Sequence, residues 1–205
     1  MVKGLWGKKV GMTQVFTDKK VVPVTVIDIS NWFVTNVKTK ERDGYEAVQI
    51  ACVRNKYAQD AFSSTWLKSP KKYFYYFKEV KCANDTPEVT VGQPANFSTI
   101  MTPGDMVDVV GTTKGHGFAG CVRRHGFTGG VASHGSKLGR KPGSMGFMRS
   151  QGRVIKGKKL PGHHGVTRHM VRNLEIIRVE EQSKLVLVKG AVPGKSGSLV
   201  FLRKA

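Results

Sequence analysis

The sequence predicts a mainly β protein: a closed β-barrel globular domain with a long, irregular, basic and glycine-rich extension inserted before the final strands. Three observations predict it. Short runs of β-branched and aromatic residues, bounded by turn signals, fill much of the first hundred positions and return after residue 172. Between Val109 and Leu174 there is no aspartate and no glutamate, yet the window holds thirteen lysines and arginines and all six histidines. Fifteen of the 24 glycines fall in the same window, which follows neither a helical nor a strand period.

The elements justify this reading in order. Residues 21–29, 32–37 and 47–53 read as strands, the last two separated by the turn signal Arg42-Asp43-Gly44. Residues 89–91 and 106–110 read as shorter strands, the second opened by the turn Thr102-Pro103-Gly104-Asp105. Residues 55–80 read as a short helical or irregular insertion beside the barrel. Its aromatic run, Tyr73, Phe74, Tyr75, Tyr76 and Phe77, reads as packing rather than a base-stacking platform. Strands resume at 173–180, 185–188 and 199–202, with turns at Gln182-Ser183 and Pro193-Gly194. The expected organisation is therefore a barrel domain made of 1–110 together with 172–205, and an extension at 111–171.

Charge narrows the function classes. The chain has 205 residues, a formal net charge of +20 and a pI near 10.1. A segment of one charge sign repels itself and has little apolar content to offset the entropy of ordering. A polyanion would order it, and nucleic acid is the obvious one, because neutralising phosphates releases counterions. Without RNA, residues 112–170 are expected to be largely disordered while the barrel stays folded. No basic amphipathic helix and no apolar run of about 18 residues speaks for a membrane. The first ten residues lack the apolar core of a secretory signal. Cys52, Cys82 and Cys121 are odd in number and far apart, which argues for a reducing compartment rather than a disulfide framework.

Several motifs invite catalysis and fail on context. Gly115-His116-Gly117-Phe118-Ala119-Gly120 is a literal dinucleotide fingerprint, but residues 123–130 read as loop rather than helix, and no acid follows at ribose-binding distance. Gly190 to Ser196 resembles a phosphate-binding loop one residue short, and a strand follows it, so it reads as a hairpin turn. The histidines and Cys121 lack metal-ligand spacing. A histidine-based hydrolase would need an acid to orient its base, and the window contains none. No cofactor, metal or small-molecule substrate is called for. Lys114, Arg123, Arg124, Lys137, Arg140, Lys141, Arg149, Arg153, Lys156, Lys158, Lys159, Arg168 and Arg172 are instead the candidates for phosphate contact. His116, His125, His134 and His163 are candidates for hydrogen bonds to RNA or stacking on bases.

A family resemblance joins these features. The stretches Gly4-Leu-Trp-Gly-Lys-Lys-Val-Gly-Met-Thr-Gln14, Val22-Pro-Val-Thr-Val26, 108–120, Arg124-His-Gly-Phe127, Ser133-His-Gly-Ser136, Pro142-Gly-Ser144, 154–159 and 188–194 occur in this order over nearly the whole chain. Together they resemble the universal large-subunit ribosomal protein L3 family in its bacterial or organellar form. The resemblance implies a barrel on the subunit surface and an extension threading through 23S-type ribosomal RNA toward the peptidyl transferase centre. It also implies primary binding near the 3′ end of that RNA, nucleation of subunit assembly, neighbours L14 and L19, a ribosomal location in cytoplasm or organelle, and no enzymatic activity. Some bacterial members carry a methylated glutamine three positions after the glycine of a Ser-x-Gly motif. Here that position is Arg149, so the modification is expected to be absent. The stretch around 55–80 matches poorly. The alternative reading is an extra-ribosomal RNA chaperone with the same electrostatics.

Overall fold

The computed structural model describes residues 4–17, 20–82, 89–95, 100–147, 150 and 152–204. Among them the strands are β1 Gly4–Thr17, β2 Lys20–Asp28, β3 Trp32–Lys38, β4 Ala47–Val53, β5 Phe74–Lys81, β6 Met106–Thr112, β7 Phe118–Ala119, β8 Gly162–His163, β9 Arg168–Glu180, β10 Leu185–Lys189 and β11 Leu199–Lys204. The helices are short: α1 Lys40–Asp43, α2 Thr65–Lys68, α3 Pro70–Tyr73 and α4 Cys121–His125, with a 3-10 turn at Asn55–Tyr57. The protein is mainly β, as the sequence predicts.

Six strands form a closed ring in the order β1-β11-β6-β9-β10-β2, with β2 paired back onto β1. All six neighbouring pairs are antiparallel. Side chains alternate along a strand, and the alternation shows in the ring's core. Val107 and Val109 on β6, Val186 and Val188 on β10, and Val200 and Leu202 on β11 are buried together with Leu5, Ile27 and Ile176. Each such side chain contributes roughly 1.5–3 kcal/mol on burial.

β1 is absent from the predicted strands. Its sequence, GLWGKKVGMTQVFT, is rich in glycine and lysine, which are depleted in strands. It is extended because it serves two neighbours: residues 4–8 pair with β11 and residues 8–17 with β2, with a bulge at Val10. Gly4 is required by close approach, since a Cβ there would collide with the Leu202 carbonyl and the Phe201 ring. Lys9 on the same strand is only 8% exposed. Its Nζ donates to the carbonyls of Val192 (2.7 Å) and Gly194 (3.1 Å), pinning the turn between β10 and β11. That turn is the phosphate-loop look-alike, and it is a connection between strands.

The second sheet has the order β3-β4-β5. One of its faces packs Trp32, Val34, Val48, Ile50, Cys52 and Val80 against Trp6, Leu199 and Phe201 of β1 and β11. Another cluster sets Ala51, Val53 and Phe74 against Trp66, Tyr57, Phe62 and Tyr73. Two expectations change here. The predicted helical or irregular insertion at 55–80 ends at Tyr73, and residues 74–81 are strand β5, because the aromatic run is equally suited to a pleated surface and finds β4 as partner. Residues 89–91 are not a strand. The segment turns at Gly92 and lines β3 through Gly92 N to Val34 O (2.8 Å) and Ala95 N to Trp32 O (2.8 Å).

The chain divides into two compact units, Met1–Thr112 with Arg168–Ala205, and Thr113–Thr167. β6 and β9 continue into the acid-free window, pairing Gly111 with His169 and Thr112 with Arg168. β9 therefore starts five positions before the predicted 173. Among the described residues no helix is long and apolar enough to cross a membrane, and all three cysteines are free thiols.

Candidate nucleic-acid interface

The unit Thr113–Thr167 carries eleven lysines and arginines and no acid. With so little apolar content it is organised by backbone and side-chain hydrogen bonds. Its two ends are clasped: Thr113 N donates to Thr167 O (2.9 Å) and Thr167 N to Thr113 Oγ1 (3.2 Å). His116 N donates to His164 O and His164 N to Gly117 O, both at 2.9 Å, and β7 then pairs with β8. Gly165 has a φ of +83°, and a Cβ there would collide with the Lys114 carbonyl, so the two chain segments can approach this closely only at glycine.

α4 corrects the expectation of loop at 123–130 for its first three residues, Arg123, Arg124 and His125. Cys121 is buried with its Sγ toward Lys159 O (3.5 Å), and Leu160 O accepts from Arg124 Nη1 (2.7 Å) and His125 Nε2 (3.1 Å). Gly126, left-handed at φ 72°, ends the helix after five residues. One objection to the dinucleotide fingerprint is thus weaker than the sequence suggested. The missing ribose-binding acid still stands against it.

The candidate residues fall into groups. Lys114, His116 and His163 lie at the clasped end and on β8, and Arg123, Arg124 and His125 lie on α4. His134 and Lys137 occupy a loop closed by Gly130 N to Gly139 O (2.7 Å), and Arg140 and Lys141 follow it in a turn closed by Lys141 N to Leu138 O (3.0 Å). Arg153, Lys156, Lys158 and Lys159 occupy the return segment, and all four are exposed. Arg168 and Arg172 stand on β9 in the ring unit. Arg149 lies outside the described residues. Arg124 and His125 already spend one donor each on Leu160 O, so they brace the unit's own fold. None of these cations forms an ion pair among the described residues.

The histidines do not assemble a catalytic or metal centre. His116 stacks on His164 with ring centroids 5.1 Å apart, and Arg123 Nη2 lies 3.0 Å from His116 Nδ1. Loss of water around the stacked ring, then the charges of Arg123, His164 and Lys114, hold the His116 imidazole below its usual range. A neutral ring can accept a hydrogen bond from the Arg123 guanidinium at Nδ1. Among the described residues no group of three or more His, Cys, Asp or Glu could hold a metal ion.

Sequence reasoning missed two candidates. Phe118 is 81% exposed and Phe147 59% exposed, each beside a glycine in a segment of bare cations. Large aromatic side chains left open among cations suit nucleobases and sugars. An aromatic flanked by glycine in a segment without periodicity was the available signal.

Comparison with known proteins gives one family. Residues 79–185 match the family model described as Ribosomal protein L3. A protein named Large ribosomal subunit protein uL3 from Pelotomaculum thermopropionicum is 46% identical, covering 100% of this chain and 98% of the relative. Proteins of the same name from Shouchella clausii and Streptococcus mutans are 45% and 42% identical, each over 100% of this chain and 98% of the relative.

Proposed function

This chain belongs to the ribosomal protein L3 family, and on that premise we propose that its acid-free unit is the RNA-embedded extension of a large-subunit protein. The protein is a structural constituent of the large ribosomal subunit, acts in translation in the cytoplasmic ribosome, and is not an enzyme. Its finer role in this reading is primary binding of 23S-type ribosomal RNA near the 3′ end. There it nucleates assembly and sends residues 111–171 toward the peptidyl transferase centre. L14 and L19 are its neighbours in the same reading. The observation that carries the RNA interface is the complete absence of acids among the eleven cations of the unit Thr113–Thr167. On an ordinary solvated surface both charge signs are interspersed.

The mechanism is electrostatic and steric. Lys114, Arg123, Lys137, Arg140, Lys141, Arg153, Lys156, Lys158 and Lys159 neutralise phosphates, and glycines let the backbone approach the RNA. Charge supplies affinity without address, so the exposed Phe118 and Phe147 are assigned the contacts to bases or sugars. The test is binding to a 3′-terminal ribosomal RNA fragment across a salt series. The variant K156Q/K158Q/K159Q should lose about one unit of salt slope for each phosphate contact removed. An unchanged slope would move the RNA contact elsewhere. A chain that never co-sediments with large subunits at high salt would favour the RNA-chaperone reading.

A further inference from the structure

The aromatic run does not behave as one packed cluster. Tyr73 and Phe74 pack around Trp66, at centroid distances of 5.3 Å and 6.0 Å. Tyr75 and Tyr76 do not join that cluster and are 54% and 38% exposed. A β-bulge is the reason. Cys52 faces Tyr76 and Val53 faces Phe74, which leaves Tyr75 as the extra residue of β5. Bulges re-aim side chains. In a regular strand successive residues point to opposite faces, whereas the rings of Tyr75 and Tyr76 have centroids only 6.1 Å apart. β5 is an end strand of its sheet, so the pair stands at a sheet edge.

The surroundings of this pair are cationic. The Arg54 guanidinium lies 4.8 Å from the Tyr75 ring centroid, and Lys8 Nζ lies 5.5 Å from it. Arg54 is held there by donation from Nη2 to Lys71 O, 2.9 Å. The acid of this strand, Glu79, is taken up by Lys38 at 2.9 Å and by the Tyr45 hydroxyl at 2.9 Å. Asp28, the strand partner of Lys8, has its Oδ1 engaged by the Ser30 amide at 2.7 Å. Two solvent-open aromatic rings beside these cations complement a ligand that is planar, π-faced and anionic. Unpaired nucleotides have that chemistry: bases stack on aromatic rings while cations meet the phosphates.

We propose that Tyr75 and Tyr76, with Arg54 and Lys8, form a second RNA-contact surface, on the ring unit, that stacks unpaired nucleotides. This rests on the RNA-binding reading above but uses none of the residues of the acid-free unit. The experiment uses the full chain with two probes, a labelled single-stranded oligonucleotide of about ten nucleotides and a fully paired RNA hairpin. The variants are Y75A/Y76A and Y75L/Y76L, the leucine pair keeping apolar bulk at the sheet edge while removing the π faces. Both variants should bind the single strand roughly tenfold or more weakly. Their salt slope should match that of the wild type, because stacking releases no counterions, and hairpin affinity should be unchanged. Ultraviolet crosslinking of the wild-type complex should map to Tyr75 or Tyr76. If the leucine variant binds the single strand as tightly as wild type, the proposal is overturned. It is equally overturned if both variants lose hairpin and single-strand binding alike. Intact RNA affinity with loss of the variant from salt-washed subunits would assign the face to a protein neighbour instead. Failure of the extension reading is separate, because it appears in the salt slope of K156Q/K158Q/K159Q.

Discussion

The ring unit and the acid-free unit are held together by different physics. In the ring unit, apolar strand faces close on each other and several carboxylates have cation partners: Asp105 with Lys204, Asp108 with Arg203, Glu175 with Lys189. In the unit Thr113–Thr167, the buried apolar residues among those described are Ala119 and Cys121. Its order comes from backbone bonds, clasped threonines and arginine donors aimed at carbonyls. The first region carries its own driving force. The second is a shape that an external polyanion would stabilise by removing the repulsion among its cations.

Amide exchange should separate the two regions most strongly. The ring strands should exchange only through global opening, on the order of 5–15 kcal/mol. Residues 113–167 should exchange far faster in the RNA-free protein and become protected on binding RNA. Equal protection of both regions without RNA would erase the distinction drawn here. Next in size is the core: Ile27→Ala, at a fully buried position in the ring, should cost about 2–5 kcal/mol in denaturant unfolding. Val154→Ala and Ile155→Ala, exposed in the acid-free unit, should stay within about 0.5 kcal/mol.

A smaller effect is expected at Lys9. Lys9→Met leaves the Val192 and Gly194 carbonyls without this donor inside the fold and should cost about 1–3 kcal/mol by thermal unfolding. The smallest effect is acid sensitivity confined to the ring unit. Hydrogen bonds from Lys204 and from Thr102 hold the Asp105 carboxyl down to about 2, and Arg203 lowers that of Asp108. Folded values below unfolded ones mean that their contribution is complete above the ordinary carboxylate range. It is lost as pH falls through the folded values, toward about 2 for Asp105. Melting temperatures measured from pH 7 downward should therefore fall less steeply for Asp105→Asn than for the wild-type chain.

What was legible in the sequence follows from where its signals are local. The β class, the strands around 21–29, 32–37 and 47–53, and the turns at Gly44, Gly104 and Gly194 rest on side-chain periodicity and backbone permissiveness, which neighbouring residues decide. The acid-free window is likewise a count, and it marked the candidate RNA unit before any geometry. β1 was not legible, because a strand of glycine and lysine is extended only when two partners, β11 and β2, supply its hydrogen bonds. α4 was hidden in the same way, since its support comes from Lys159 and Leu160, more than thirty positions away. The sequence by itself thus determined the β class, the charge and the position of the acid-free window. Only the tertiary structure decided that Arg124 and His125 brace the fold, that β9 begins at Arg168, and that a single bulge turns Tyr75 and Tyr76 out of the packing. Those outcomes depend on contacts between residues far apart in sequence, and no local pattern encodes them.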